Sequence, residues 1–158
     1  MKKSLIRKKI LKYRKNINFN KLNIKYKSVS KILKMTKFKG KILGGYYPYN
    51  YEVNTIPILE KFEKKKYVIL LPKIKKKSQM NFFNWSFKDP MMINQYGIPE
   101  PISNQIKYPD ILLVPLLVYD KNLNRVGYGG GFYDRYIKKI SVNKHDIKLD
   151  FIVTEEGN

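Results

Sequence analysis

With 158 residues, no cysteine and a single histidine, the chain has room for one α/β core. It lacks the groups for disulfides, thiolate or histidine-rich metal sites, or a cysteine nucleophile, so any metal must be held by oxygen. Its 33 Lys and Arg against 12 Asp and Glu leave a formal charge of +21; alanine is absent and Lys, Ile, Asn and Tyr make up nearly half the residues, as AT-rich codons produce, so the charge reads chiefly as a solvated surface attractive to anionic ligands.

From the N-terminus, residues 2–17 read as an amphipathic helix with Ile6, Ile10, Tyr13 and Ile17 inward and Lys3 and Arg7 one turn apart on another face. Ser28 is placed to cap a second helix that buries Val29, Ile32, Leu33 and Thr36, with Gly40 ending it. Ile42 to Tyr47 reads as a strand. Asn54 or Thr55 caps a third helix, with Pro57 in its first turn and Ile58, Leu59 and Phe62 facing inward. Tyr67 to Leu71 reads as a buried strand stopped by Pro72, Met80 to Phe83 as a short strand, residues 86–109 as a loop, and Asp110 to Val114 as a strand covered on both faces. Leu149 to Thr154, apolar and β-branched, is expected to close the sheet. Helical patterns alternating with buried strands predict an α/β three-layer sandwich, a mostly parallel sheet covered by helices on both faces, in a single domain over residues 1–158. The longest apolar run, Ile111 to Tyr119, is about half of a membrane span and contains Pro115, while lysines at 8, 9 and 12 interrupt any secretory leader. A cytoplasmic location with no membrane partner is the expectation.

Chemistry concentrates in Arg125-Val126-Gly127-Tyr128-Gly129-Gly130-Gly131-Phe132-Tyr133-Asp134. Its glycines permit positive φ and close approach of backbone to ligand, and successive exposed amides cradle phosphate oxygens. Tyr133, Tyr136, Ile137 and Ile140 then form an apolar helical face, so the loop opens onto a helix N-terminus that favours an anion. The loop lacks the Gly-Lys-Ser/Thr ending of a P-loop, and Phe132 stands where a dinucleotide fingerprint requires glycine. By itself the segment serves equally as a tight strand-to-helix connection.

The segment closely resembles the signature of the 5-formyltetrahydrofolate cyclo-ligase family. Further matches follow in the family's order: Lys3-Ser4-Leu5-Ile6-Arg7, Tyr51 to Thr55, Leu71-Pro72, Met80 to Phe82, Tyr96 to Pro101, Pro109 to Pro115, His145-Asp146 and Leu149 to Glu155. The resemblance implies ATP-dependent closure of 5-formyltetrahydrofolate to 5,10-methenyltetrahydrofolate through a phosphorylated formyl group, without a covalent nucleophile. It implies that ATP binds Lys3, Ser4, Leu5, Ile6 and Arg7 together with Arg125 through Tyr133. Folate is implied at Tyr47, Glu52, Tyr128, Gly129, Gly130, Gly131 and Phe132, and Mg2+ at Asp134 and Asp146, expected within about 8 Å of each other. A monomer is expected. Between the glycine-loop helix and His145-Asp146 the family carries an additional strand and an aromatic-Gln pair; here only Ile137 to Lys144 intervene, so the C-terminal part reads as shortened. Two alternatives stand beside this reading: a catalytically inactive or unstable remnant of the family, and a basic nucleic-acid-binding protein. No recognisable motif supports a specific nucleic-acid partner.

Overall fold

The computed structural model describes residues 2–17, 23–75, 79–140 and 150–154. Helix α1 (Lys3–Asn16) has no side-chain cap and no acidic residue in its first turn. Its inward face is Ile6, Arg7, Ile10, Leu11 and Arg14. This corrects the expected stripe, since Tyr13 and Ile17 are exposed and Arg14 is buried. Hydrogen-bond acceptors in the interior make the burial of that guanidinium possible, and a pattern of apolar residues does not register them.

Helix α2 (Tyr26–Met35) begins before Ser28, with Lys25 at its N-cap. It ends before Gly40 in a Schellman closure: Lys37 takes φ 53°, and the amides of Lys37 and Phe38 bond back to the carbonyls of Lys34 and Leu33. Gly40 serves another contact, because a Cβ there would lie 2.5 Å from Asp110 Cβ. The Asp110 carboxylate accepts from the amides of Lys41 and Ile42, which sets the entry of the next strand.

Strand β1 (Ile42–Gly44) is shorter than expected, and helix α3 (Ile56–Lys64) follows with Pro57 in its first turn. Strand β2 (Val68–Lys75) continues through Pro72 and pairs antiparallel with β3 (Gln79–Trp85). The proline does not stop the strand because of where its missing amide points. Val68 N and Leu70 O bond toward the β1 side, alternate residues share that direction, and Pro72 lies beyond the end of β1. The stretch expected to be loop contains a hairpin of β4 (Met91–Ile93) and β5 (Pro99–Pro101). Gly97 at φ 77° makes its turn, and the Asn94 side chain accepts the amides of Tyr96 and Ile98. Strand β6 (Ile111–Leu112) is only half-buried; a second hairpin, β7 (Val118–Tyr119) with β8 (Arg125–Val126), precedes α4 (Phe132–Ile140).

The central sheet has the order β3-β2-β1-β6, with β1 parallel to both β2 and β6. Helices α2 and α3 pack Val29, Ile58, Leu59 and Phe62 against Leu43, Ile69, Leu71 and Trp85. On the opposite face Tyr136 of α4 meets Leu70, Met80 and Phe82. Each large side chain buried this way stabilises the fold by roughly 1.5–3 kcal/mol. The result is a mixed α/β fold with a mostly parallel central sheet and, among the described residues, four helices. The expected closing strand is not formed among the described residues: Leu149 lies outside them, and residues 151–154 carry no strand pairing. β6 is two residues long and Pro115 follows it, leaving little ladder to extend, so Val153 packs side chain to core instead. No helix among the described residues is long and apolar enough to cross a membrane.

Candidate functional site

The chain leaves β1 for α3 on one face of the sheet, and leaves β6, by way of the β7–β8 hairpin, for α4 on the other. Such a reversal opens a crevice beyond the carboxyl ends of the strands. Segments 45–55, 113–117 and 127–134 converge on it.

In the glycine loop, Gly129 takes φ 109° and Gly131 φ 64°, conformations that expose the backbone toward a crevice of about 170 Å³. Arg7, Arg125 and Asp134 line it as well. Arg7 Nε donates to the Gly127 carbonyl at 2.9 Å, so α1 presses a cation onto the loop. Arg125, its side chain almost wholly buried, is ion-paired with the exposed carboxylate of Asp134. Arg135 donates to Gly130 O at 2.6 Å and lies over the Phe132 ring.

Beside the crevice is a cavity of about 360 Å³ with aromatic walls that include Tyr46, Tyr47, Tyr49 and Tyr96, and a floor of Pro72, Ile74 and Met80. The size and lining suit a flat, drug-sized ligand. The buried Glu100 carboxylate accepts from Ile74 N and Asn94 Nδ2, each at 2.8 Å, and so ties the β4–β5 hairpin against β2 as the outer wall. Cavity and crevice share Glu52, Pro115, Tyr128, Gly130, Phe132 and Tyr133. The Tyr133 hydroxyl in that shared wall is buried with no hydrogen-bond partner among the described residues. An unsatisfied buried donor of this kind is disfavoured unless a ligand or water meets it.

Electrostatics centre on Glu52. Burial raises its pKa from 4.5 to about 7, against the Tyr49 amide, which donates to it, and Arg14, which both lower it. Burial likewise lifts the phenols of Tyr46, Tyr128 and Tyr133 well above 10, so all three stay neutral donors. A carboxyl whose folded pKa lies above its unfolded value takes up a proton on folding. Its stabilising contribution is therefore present below pH 4.5 and is lost as pH rises to about 7. Replacing Glu52 with Gln is expected to raise the urea-unfolding free energy by about 1 to 3 kcal/mol at pH 8 and to leave it nearly unchanged at pH 4.5. An equal effect at both pH values would mean that ionisation of this carboxyl is not the cause.

Placement of the expected residues is uneven. Of Lys3, Ser4, Leu5, Ile6 and Arg7, only Arg7 lines the crevice; Lys3, Ser4 and Leu5 are exposed. Tyr47 and Glu52 line the aromatic cavity with Tyr128, Gly130 and Phe132, whereas Gly129 and Gly131 line the crevice alone. Val126 is paired with Val118 in the hairpin. Asp134 stands at the crevice; Asp146, and with it the expected carboxylate pair, lies outside the described residues. Among the described residues no group of three metal-binding side chains occurs. Sequence reasoning missed Arg14, Glu100 and the part Tyr133 plays in the shared wall. For Arg14 the available signal was its position seven residues after Arg7, two turns along one helix face.

The family model for the 5-formyltetrahydrofolate cyclo-ligase family matches residues 1–154. A 5-formyltetrahydrofolate cyclo-ligase of Haemophilus influenzae is 32% identical over 107 residues, a match that covers 63% of this chain and 57% of that protein. The Escherichia coli K12 protein of the same name is 27% identical over 130 residues, covering 65% of this chain and 71% of its own. Among solved structures, 5,10-methenyltetrahydrofolate synthetase from Aquifex aeolicus has a TM-score of 0.75 at 25% identity and covers 99% of this chain and 91% of that one. The Mycoplasma pneumoniae enzyme of that name, at TM-score 0.62 and 22% identity over 97% of this chain and 92% of its own, supports the fold alone. Neither the remnant nor the nucleic-acid reading finds support in these matches.

Proposed function

We propose that this chain, which belongs to the 5-formyltetrahydrofolate cyclo-ligase family, couples ATP hydrolysis to ring closure of 5-formyltetrahydrofolate. The observation that supports the reading is the wall common to the aromatic cavity and the glycine-loop crevice, because ligands in the two spaces would lie edge to edge. Folate occupies the cavity, with Glu52 and Tyr47 at its rim and the neutral Tyr133 hydroxyl as a donor. The triphosphate occupies the crevice, where Arg7, Arg125 and the backbone amides of Gly127 through Gly131 offset its charge.

The chemistry balances without a protein nucleophile. The formyl oxygen on N5 attacks the γ-phosphorus of ATP as the bond to ADP breaks. N10 then attacks the activated formyl carbon, the phosphate leaves with that oxygen, and the N10 proton departs to give 5,10-methenyltetrahydrofolate. Catalysis is then a matter of positioning and charge. Asp134 fits a Mg2+ ligand: it is a hard oxygen donor at the phosphate cradle, where this ion commonly takes one or two carboxylates and completes its shell with phosphate and water. The ion would neutralise phosphate oxygens beside the Asp134–Arg125 pair.

The same reading takes residues 1–158 as one cyclo-ligase-like domain in three layers, monomeric and cytoplasmic, with residues 137–144 as a shortened connection. Nucleic acid is not a specific partner in it. ATP hydrolysis is expected to depend on 5-formyltetrahydrofolate and to run in step with the absorbance of the methenyl product. Equal ADP release with and without folate would overturn the proposed acceptor.

A further inference from the structure

Arg14 is a buried cation that the proposed reaction does not use. Nη1 donates to the Tyr51 carbonyl at 3.1 Å and to the Tyr128 hydroxyl at 2.8 Å, and Nη2 donates to the carbonyls of Leu116 and Leu117 at 3.0 Å each. The acceptors come from three stretches of the site: the turn that carries Glu52, the glycine loop, and the segment after β6. A planar guanidinium can reach acceptors set in these different directions through a rigid fork, which a lysine ammonium cannot reproduce. Arg7, two turns earlier, grips the adjacent Gly127, so α1 holds the glycine loop at two successive residues. Arg14 itself lines neither the aromatic cavity nor the crevice; it lies behind their shared wall, where with Glu52 and Tyr46 it lines a further cavity of about 470 Å³.

We propose that Arg14 is a positioning residue for the reaction, locking Tyr128 and the Tyr51–Glu52 turn together so that the wall between the two substrates exists before either arrives. The inference rests on the folate and nucleotide reading above. Burying the guanidinium is unfavourable unless its donors are matched, so the contacts are maintained in the ligand-free chain. The same charge faces Glu52 and Tyr128 and opposes the effect of burial on both.

Hydrogen exchange on the ligand-free full chain tests this directly. Arg14→Gln is expected to speed exchange about tenfold in residues 49–55 and 116–128 while β2 and β3 stay within about twofold of the parent. Faster exchange everywhere would reduce Arg14 to a general stabiliser, and no change would leave it without a role; either overturns the proposal. Arg14→Lys is expected to keep the charge but not the fork, and so to lose the local protection as well. A second arm measures binding of 5-formyltetrahydrofolate by calorimetry from pH 6 to 8. The groups facing Glu52 are Arg14, Tyr46, Tyr128, Tyr133 and the Tyr49 amide. Removing the arginine is expected to weaken binding about tenfold and to move its pH midpoint upward; Arg14→Lys is expected to restore the midpoint, which a purely structural role would not move. If the parent chain fails to bind this folate, the functional reading falls while the exchange measurement still decides the part played by Arg14.

Discussion

Gly129→Ala is expected to lower kcat/KM for methenyl formation by about 100-fold with little change in the melting temperature. Space is not the obstacle, since a Cβ at this position would make only ordinary contact, 3.6 Å from Arg7 Cζ. The backbone is: φ of 109° is a region that L-residues rarely enter, and holding a side chain there costs roughly 1–3 kcal/mol. Gly129 and Gly130 are exposed and carry no core side chain, so the loop relieves the strain by moving rather than by unfolding the sheet. Moving it displaces the amides proposed to face the triphosphate and the carbonyl that Arg7 holds. Misplacing such a group by about 1 Å is sufficient for a loss near 100-fold. Steady-state kinetics beside a thermal melt separate the outcomes: unchanged activity would remove the glycine-loop backbone from the mechanism, and a large fall in melting temperature would make Gly129 a folding residue.

Asp134→Asn should produce a loss of similar size, about 100- to 1,000-fold in kcat, by a different route. The Asp134 side chain is 74% exposed but its Arg125 partner is almost wholly buried, so removing the charge takes the counter-ion from a buried guanidinium and is expected to cost about 1–3 kcal/mol of stability while leaving the fold intact. If the carboxylate holds Mg2+ against the phosphates, the variant requires a higher Mg2+ concentration to reach half of its residual activity. Titration of Mg2+ at saturating ATP and folate measures this. Parent-like rates across the titration would exclude Asp134 as a metal ligand and leave its ion pair with Arg125 as its role.

Features written in one contiguous stretch were legible. Val29 in α2 and Ile58, Leu59 and Phe62 in α3 were readable because a helix that covers a sheet must be apolar at helical spacing, whatever the sheet's connectivity. The glycine loop was readable because positive φ and exposed backbone require glycine wherever the chain then goes. Pro72 was misread because the effect of a proline depends on which side of its strand has a neighbour, and the neighbour is 28 or more residues away in β1. The closing strand was misread for a related reason: the apolar, β-branched run in residues 151–154 is present, but pairing also needs an adjacent ladder, and β6 offers two residues.

The sequence by itself determined the family, the α/β class and the glycine-rich turn before α4, since each depends on residues adjacent in the chain or one helical turn apart. Only the tertiary structure decided that Glu52, Tyr128, Phe132 and Tyr133 form a single wall between two cavities, and that a basic residue of α1 is buried behind it. The physical reason is the same in both cases. Periodicity reports where apolar surface must hide, whereas a buried arginine is stable only where carbonyls and a phenol from distant parts of the chain converge on its donors, and that convergence comes into being when the sheet has assembled.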